Sequence, residues 1–239
     1  MGEGLRWFGL AFAGCTPVEG EILDRFPTPG PAPRGIIVQD GDLLIPDLLD
    51  DATSRVDPFT RRNRSLPFVP GATTDVAFDD THLWMTAADP DEPARLTRWS
   101  FDGKRDRRFD VDLPIDFGPF PTTVAWDPGR GGLWMTGRVS STTWVWLVDP
   151  VTGQVRERWE GPESIRHSFA ADLDPDGQHL WVADGNTLFK VSLFDRTLVE
   201  EHRVVDFRAD LYGIDALGDG EFWLIDGDQL RHDAVNVAL

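Results

Sequence analysis

The chain has 239 residues, 41% of them hydrophobic, enough for one substantial core. Its 41 acidic residues against 23 basic ones give a formal charge of −18. That balance disfavours a nucleic-acid backbone or an anionic membrane as partner, since phosphate binding needs clustered Lys and Arg, and no apolar stretch is long enough to span a bilayer.

In chain order, the first apolar segment is LRWFGLAF (Leu5 to Phe12), followed by Cys15, the only cysteine, so an intrachain disulfide is excluded. Arg6, the apolar run and Cys15 faintly resemble a bacterial lipoprotein signal. The run is short and Glu3 dilutes the positive start. A β-strand in a cytoplasmic protein is therefore expected, with an exported lipoprotein held through Cys15 as the alternative. GEILDRFPTP (Gly20 to Pro29) then forms a second strand, and the two read as a hairpin.

Five related segments follow. They are GIIVQDGDLLIPD (Gly35 to Asp47), DVAFDDTHLWMT (Asp75 to Thr86), TVAWDPGRGGLWMT (Thr123 to Thr136), AADLDPDGQHLWVAD (Ala170 to Asp184) and GIDALGDGEFWLID (Gly213 to Asp226). Each reads strand, Asp/Gly turn, strand. One equivalent position carries Leu44, Trp84, Trp134, Trp181 and Trp223, at spacings of 40, 50, 47 and 42 residues. Between these segments lie alternating strands with polar turns and more charged outer strands, such as TTWVWLVD, PVTG, QVRERWEG. A repeat of this size built from short alternating strands predicts an all-β fold, a single β-propeller whose blades hold four antiparallel strands, a to d. The units run about 35–71, 72–119, 120–166 and 167–208, with 209–239 joining 1–34. Five blades closed by both termini are expected, with QLRHDAV as a further strand of the closing blade. Six blades is the alternative.

The Asp/Gly turn, the Leu-Trp-Val/Met triplet and the Asp-Gly-Asn that follows resemble the NHL, YVTN and SMP-30/strictosidine-synthase-like propeller repeats. The resemblance covers nearly the whole chain as architecture. It implies a site at one end of the central channel, where the loops entering strand a meet those leaving strand b. SMP-30-like lactonases hold a divalent metal with Glu, Asn and Asp there. The matching positions here are Thr74-Asp75, Thr122-Thr123, Ser168-Phe169 and Tyr212-Gly213, and only Asp75 is a hard-cation ligand type. That departure argues against a metal-dependent lactonase. Strictosidine-synthase-like enzymes use a ring carboxylate without metal.

Loops at that end supply acid, base and hydrogen-bonding types. His167, Tyr212 and Asp75 are the candidate catalytic residues. Arg34, Arg138, Asp184, Asn186 and Asp226 are the candidate ligand-binding residues. No cofactor and no metal are expected. Asp172, Asp174, Asp176 and Gly177 begin like a calcium loop, but the twelfth position is Ala183 rather than a bidentate Glu. His82 and His179, each directly before Leu-Trp, belong at the opposite end. Two functions stay open: a small-molecule site running metal-independent lyase, cyclase or hydrolase chemistry, and a non-catalytic module that binds a protein partner, for which FGPFP (Phe117 to Pro121) offers exposed aromatics.

Overall fold

The computed structural model of the protein describes residues 20–49, 52–66, 73–87, 95–110, 121–139, 141–204, 210–227 and 232–239. Every regular element among them is a β-strand. β1 (Glu21–Pro27) comes first. Blade one is β2 (Ile37–Gln39), β3 (Asp42–Asp47), β4 (Ala52–Val56) and β5 (Asn63–Ser65). Blade two is β6 (Thr73–Phe78), β7 (Leu83–Ala87), β8 (Arg95–Trp99) and β9 (Arg105–Asp110). Blade three is β10 (Pro121–Asp127), β11 (Gly132–Val139), β12 (Thr142–Val148) and β13 (Val155–Glu160). Blade four is β14 (Ala170–Leu173), β15 (His179–Asp184), β16 (Thr187–Ser192) and β17 (Leu198–Arg203). The last is β18 (Asp210–Gly218), β19 (Glu221–Gly227) and β20 (His232–Ala238), with β1 as its fourth strand.

The protein is therefore a β-propeller of five blades, which decides against the six-blade alternative. All strand pairs are antiparallel, and the inner strands β2, β6, β10, β14 and β18 touch one another in a closed ring. Both termini build the closing blade. The C-terminal segment gives strands a to c, with c running from His232, inside the QLRHDAV segment, to Ala238; Gln229 to Arg231 lie outside the described residues. The N-terminal segment gives strand d. LRWFGLAF, expected to pair beside it, lies outside the described residues.

The strands follow from burial. Strand b is sandwiched between neighbouring blades, so both its faces are covered and its sequence is a nearly continuous apolar run, as in Leu133 to Met135 and Phe222 to Ile225. Strand d is the outer edge. In β13 only Trp159 is buried among charged residues, which discourages edge-to-edge pairing.

Five apolar clusters fill the five gaps between blades, and the repeated b-strand residue sits in each. Leu44 packs with Val76, Leu83 and Met85 of blade two. Trp84 packs with Val124, Leu133 and Met135 of blade three. Trp134 meets Ala171, Leu180 and Val182. Trp181 meets Ile214, Phe222 and Leu224. Trp223 closes the circle against Ile36, Leu43 and Ile45. The recurrence of one bulky residue per repeat is thus the recurrence of one interface.

The Asp of the turn does more than turn the chain. Asp79 Oδ2 accepts the Trp84 indole N–H at 2.7 Å. Asp127 accepts that of Trp134 and Asp174 that of Trp181, both at 2.9 Å. Blades one and five lack this pairing residue because their turns have only two residues. Asp40-Gly41 and Asp219-Gly220 all have positive φ, the hairpin type that suits strand twist.

Candidate functional site at the upper channel mouth

The end where the chain enters strand a and passes from b to c is termed the upper end. Arg34 precedes β2, His167 precedes β14, Tyr212 is the third residue of β18, Asp184 ends β15, and His232 opens β20. Strand direction puts all five at this end. Gly35 lets blades five and one approach here. Its amide donates to the Tyr212 carbonyl at 2.8 Å. A Cβ on Gly213 would fall 2.7 Å from the Gly35 carbonyl carbon, so both positions need glycine.

That approach brings four side chains into a row. The Arg34 guanidinium lies 3.7 Å over the centre of the Tyr212 ring. Tyr212 meets Phe169 edge-on at 6.0 Å, and Phe169 stacks on His167 at 5.9 Å. His232 tilts against Tyr212 at 5.8 Å. Asp184 orients the far end of the row. Its Oδ2 accepts the amides of Arg166 at 2.7 Å and His167 at 3.0 Å, and its Oδ1 stands 3.7 Å from His167 Nδ1. Tyr212 donates to Asp210 at 3.4 Å. Burial first, and Asp210 beside it, raise the phenol above its ordinary range, so Tyr212 is a neutral donor at physiological pH. Burial likewise lowers the Arg34 guanidinium from its ordinary value, although it remains charged.

The other candidates lie outside this row. Asp75 is 1% exposed. Its Oδ1 accepts the Val76 amide at 2.9 Å and its Oδ2 the Val124 amide of blade three, also at 2.9 Å. Burial first, then Asp172 and Asp215, push its carboxyl well above the usual range. It binds blade to blade rather than facing the open mouth. Asp226 is 0% exposed and pairs with Arg25 of β1 at 3.2 Å, a contact that holds the closing strand. Arg138 is exposed at the end of β11, opposite Thr143. Among the described residues no hydrogen bond, ion pair or ring contact joins it to the Arg34 row. Asn186 is half-buried in the β15–β16 turn, where its carbonyl accepts the Val204 amide at 3.0 Å. His82 and His179 lie at the lower end, bound to the a–b turns through Thr81 and Asp176.

Sequence reasoning missed Phe169, Asp210 and His232 as members. Phe169 carried a usable signal, being the residue directly before strand a of blade four. It also missed the role of Asp172 and Asp215. Asp172 Oδ2 accepts the Ala216 amide of blade five at 2.9 Å, and Asp215 Oδ2 accepts the Val38 amide of blade one at 3.1 Å. An inner strand has one ladder edge facing the channel, and these carboxylates satisfy its exposed N–H groups.

No protein-family model and no curated protein sequence matches the chain. Solved structures do. Glutaminyl cyclase of Myxococcus xanthus superposes with a TM-score of 0.66 at 13% identity, covering 91% of this chain and 96% of that one. The PQQ-bound aldose sugar dehydrogenase of Streptomyces coelicolor gives 0.53 at 14% identity, covering 91% and 97%. A chain of a nidogen/laminin complex gives 0.57 at 15% identity, covering 81% and 72%. At these identities the likeness is one of fold, and on that ground the chain belongs among the β-propeller repeat proteins.

Proposed function

We propose that the upper mouth is a small-molecule site that takes a carboxylate-bearing ligand, and that it runs metal-independent acid–base chemistry of the cyclase, lyase or hydrolase kind. The observation that carries this reading is Arg34. In a chain of charge −18, this guanidinium is half-buried, desolvated and stacked on Tyr212, and among the described residues it makes no ion pair. Stacking occupies the face of the guanidinium and one edge N–H reaches the Pro33 carbonyl at 3.5 Å, which leaves the other edge N–H groups to meet a carboxylate. The rings of Phe169 and Tyr212 would carry the ligand's apolar body. His167, oriented from Asp184, is the general base, because imidazole is the side chain suited to moving protons near neutral pH. Tyr212 donates a hydrogen bond to charge that develops on the ligand. A neighbour named as a cyclase, matched over nearly its full length, makes ring closure the first reaction class to test.

Binding is tested with benzoate, which offers a carboxylate and one ring. Calorimetric titration should show saturable binding that weakens about tenfold or more in Arg34→Ala, with an unchanged melting curve. Benzoate held equally well by Arg34→Ala would remove the reading. Catalysis is tested separately, by ammonia release from peptides that begin with glutamine. His167→Asn should abolish turnover while leaving benzoate affinity in place.

A further inference from the structure

At the lower end, between blades four and five, lies a cleft of about 310 Å³, lined by Asp174, Trp181, Lys190, Glu200, His202 and Phe222, with the β18–β19 turn as its far wall. Its size is at the small end of ligand sites, roughly 300–1,000 Å³. Two departures from the repeat shape it. The β18–β19 turn is only Asp219-Gly220, so it covers less of its neighbour than the longer turn from Asp174 to Gln178. The residue before the repeated bulky position is Leu43, Leu83, Leu133 and Leu180 in the other blades, but Phe222 here. Its ring meets that of Trp181 edge-on at 4.9 Å, so the base of the cleft is formed by two aromatic rings that are themselves largely buried in the blade interface.

The polar wall is lopsided in charge. Asp174, Glu200 and Asp219 face a single ammonium, Lys190, with the His202 imidazole beside Glu200 at 3.0 Å. The Lys190 Nζ stands 5.1 Å over the Trp181 ring and 2.9 Å from Asp174. One cation is thus already held by an indole face together with a carboxylate, the combination that attracts organic cations. Asp174 is occupied by Lys190, the Trp181 indole and the Asp176 amide. Glu200 is exposed, with the His202 imidazole at one oxygen and Lys190 3.9 Å from the other. Asp219 is exposed on the opposite blade.

We propose that this cleft is a second ligand site, selective for an organic monocation on an apolar body, an ammonium or guanidinium carried by a ring or short chain. Glu200 and Asp219 would take the charge from the two blades, and the Trp181–Phe222 floor would take the body. The site is independent of the upper mouth.

The test is a titration of benzylammonium into the full chain, following the Trp181 indole N–H by NMR, with benzyl alcohol and benzoate as charge controls. Saturable binding with a Kd on the order of 1 mM is expected, and each control should be about tenfold weaker at this resonance. Glu200→Gln combined with Asp219→Asn should weaken benzylammonium about tenfold. Both residues are exposed, so folding should persist. Phe222→Leu, which restores the residue of the other blades, should also weaken it, while Arg34→Ala should leave it unchanged. Failure to saturate, benzyl alcohol binding as well as the cation, or full affinity in the double variant would overturn the proposal.

Discussion

An indole buried between two sheets carries one N–H that must find an acceptor, and three of the repeats meet this need with the Asp of their own turn. The arrangement is uneven in a way that can be measured. Asp127 Oδ2 also takes Arg130 at 2.8 Å, and Asp174 Oδ2 also takes Lys190 at 2.9 Å. Asp79 Oδ2 has the Trp84 indole at 2.7 Å and no comparable cation among the described residues. Replacing Trp84, Trp134 or Trp181 by Ala should cost about 3–5 kcal/mol each, because a large ring leaves a close-packed interface. Replacement by Phe retains most of the apolar contact and isolates the polar bond. Trp84→Phe should then cost about 1–3 kcal/mol, the largest of the three, since Asp79 Oδ2 loses its partner while Oδ1 keeps Thr81 and His82. Urea denaturation of the six variants checks both statements. An Ala cost below roughly 1 kcal/mol at all three positions would contradict the interface assignment, and Trp84→Phe as the mildest Phe variant would contradict the ranking.

At the scale of the element, β1 is the strand on which closure turns. It pairs with β20 from Glu21 opposite Ala238 to Pro27 opposite Asp233. Phe26 packs on Trp223 at 5.9 Å, Arg25 reaches Asp226, and Arg61 of blade one holds Asp24 at 2.7 Å while lying over Phe26. Removing the chain through Pro27 should lower the melting temperature sharply and leave β20 as an open edge that pairs between molecules. An unchanged melt and a monomeric elution profile would mean that β1 is dispensable. Much of this element plan was legible beforehand. Alternating strands and Asp/Gly turns are local signals, so the five strand pairs and the two-terminus closure could be read from the chain. The division of the closing blade, one N-terminal strand against three C-terminal ones, could not, because a lone strand and half of a hairpin look alike in sequence. The site was legible by position only. Loop order put His167, Tyr212, Arg34 and Asp184 at one end, yet the stacking of Arg34 on Tyr212 exists because the ring closes. Nothing local announces it. Asp75 and Asp172 misled, and Asp215 went unmarked, for the same reason: a carboxylate that accepts an amide from the next blade resembles a turn or ligand residue until the neighbour is in place.

Those three carboxylates tie the whole molecule to pH. They stand around the channel in blades two, four and five, and each holds an amide of the following inner strand. Burial pushes all three upward, Asp172 from 3.8 to about 7 and Asp215 well above the usual range with Asp172 adding to it. A raised carboxyl favours the protonated acid in the folded state. Its stabilising contribution is therefore complete below the unfolded value near 3.8 and fades as pH rises through about 7 for Asp172. The net charge of −18 acts in the same direction, since self-repulsion grows as carboxyls ionise. A variant separates the two effects. Asp172→Asn keeps an oxygen for the Ala216 amide and removes the charge. A shift of this size has a ceiling of about 4 kcal/mol, and water at the half-buried channel surface should reduce the effect to about 1–2 kcal/mol. Urea midpoints should fall for the parent between about pH 5 and about pH 8, and fall less for Asp172→Asn by that amount. Asp219→Asn removes the same charge from an exposed turn whose left-handed backbone Asn tolerates, and it should retain nearly the parental slope. If Asp172→Asn follows the parent, or Asp219→Asn reproduces its effect, the pH dependence belongs to the overall charge and not to the channel carboxylates.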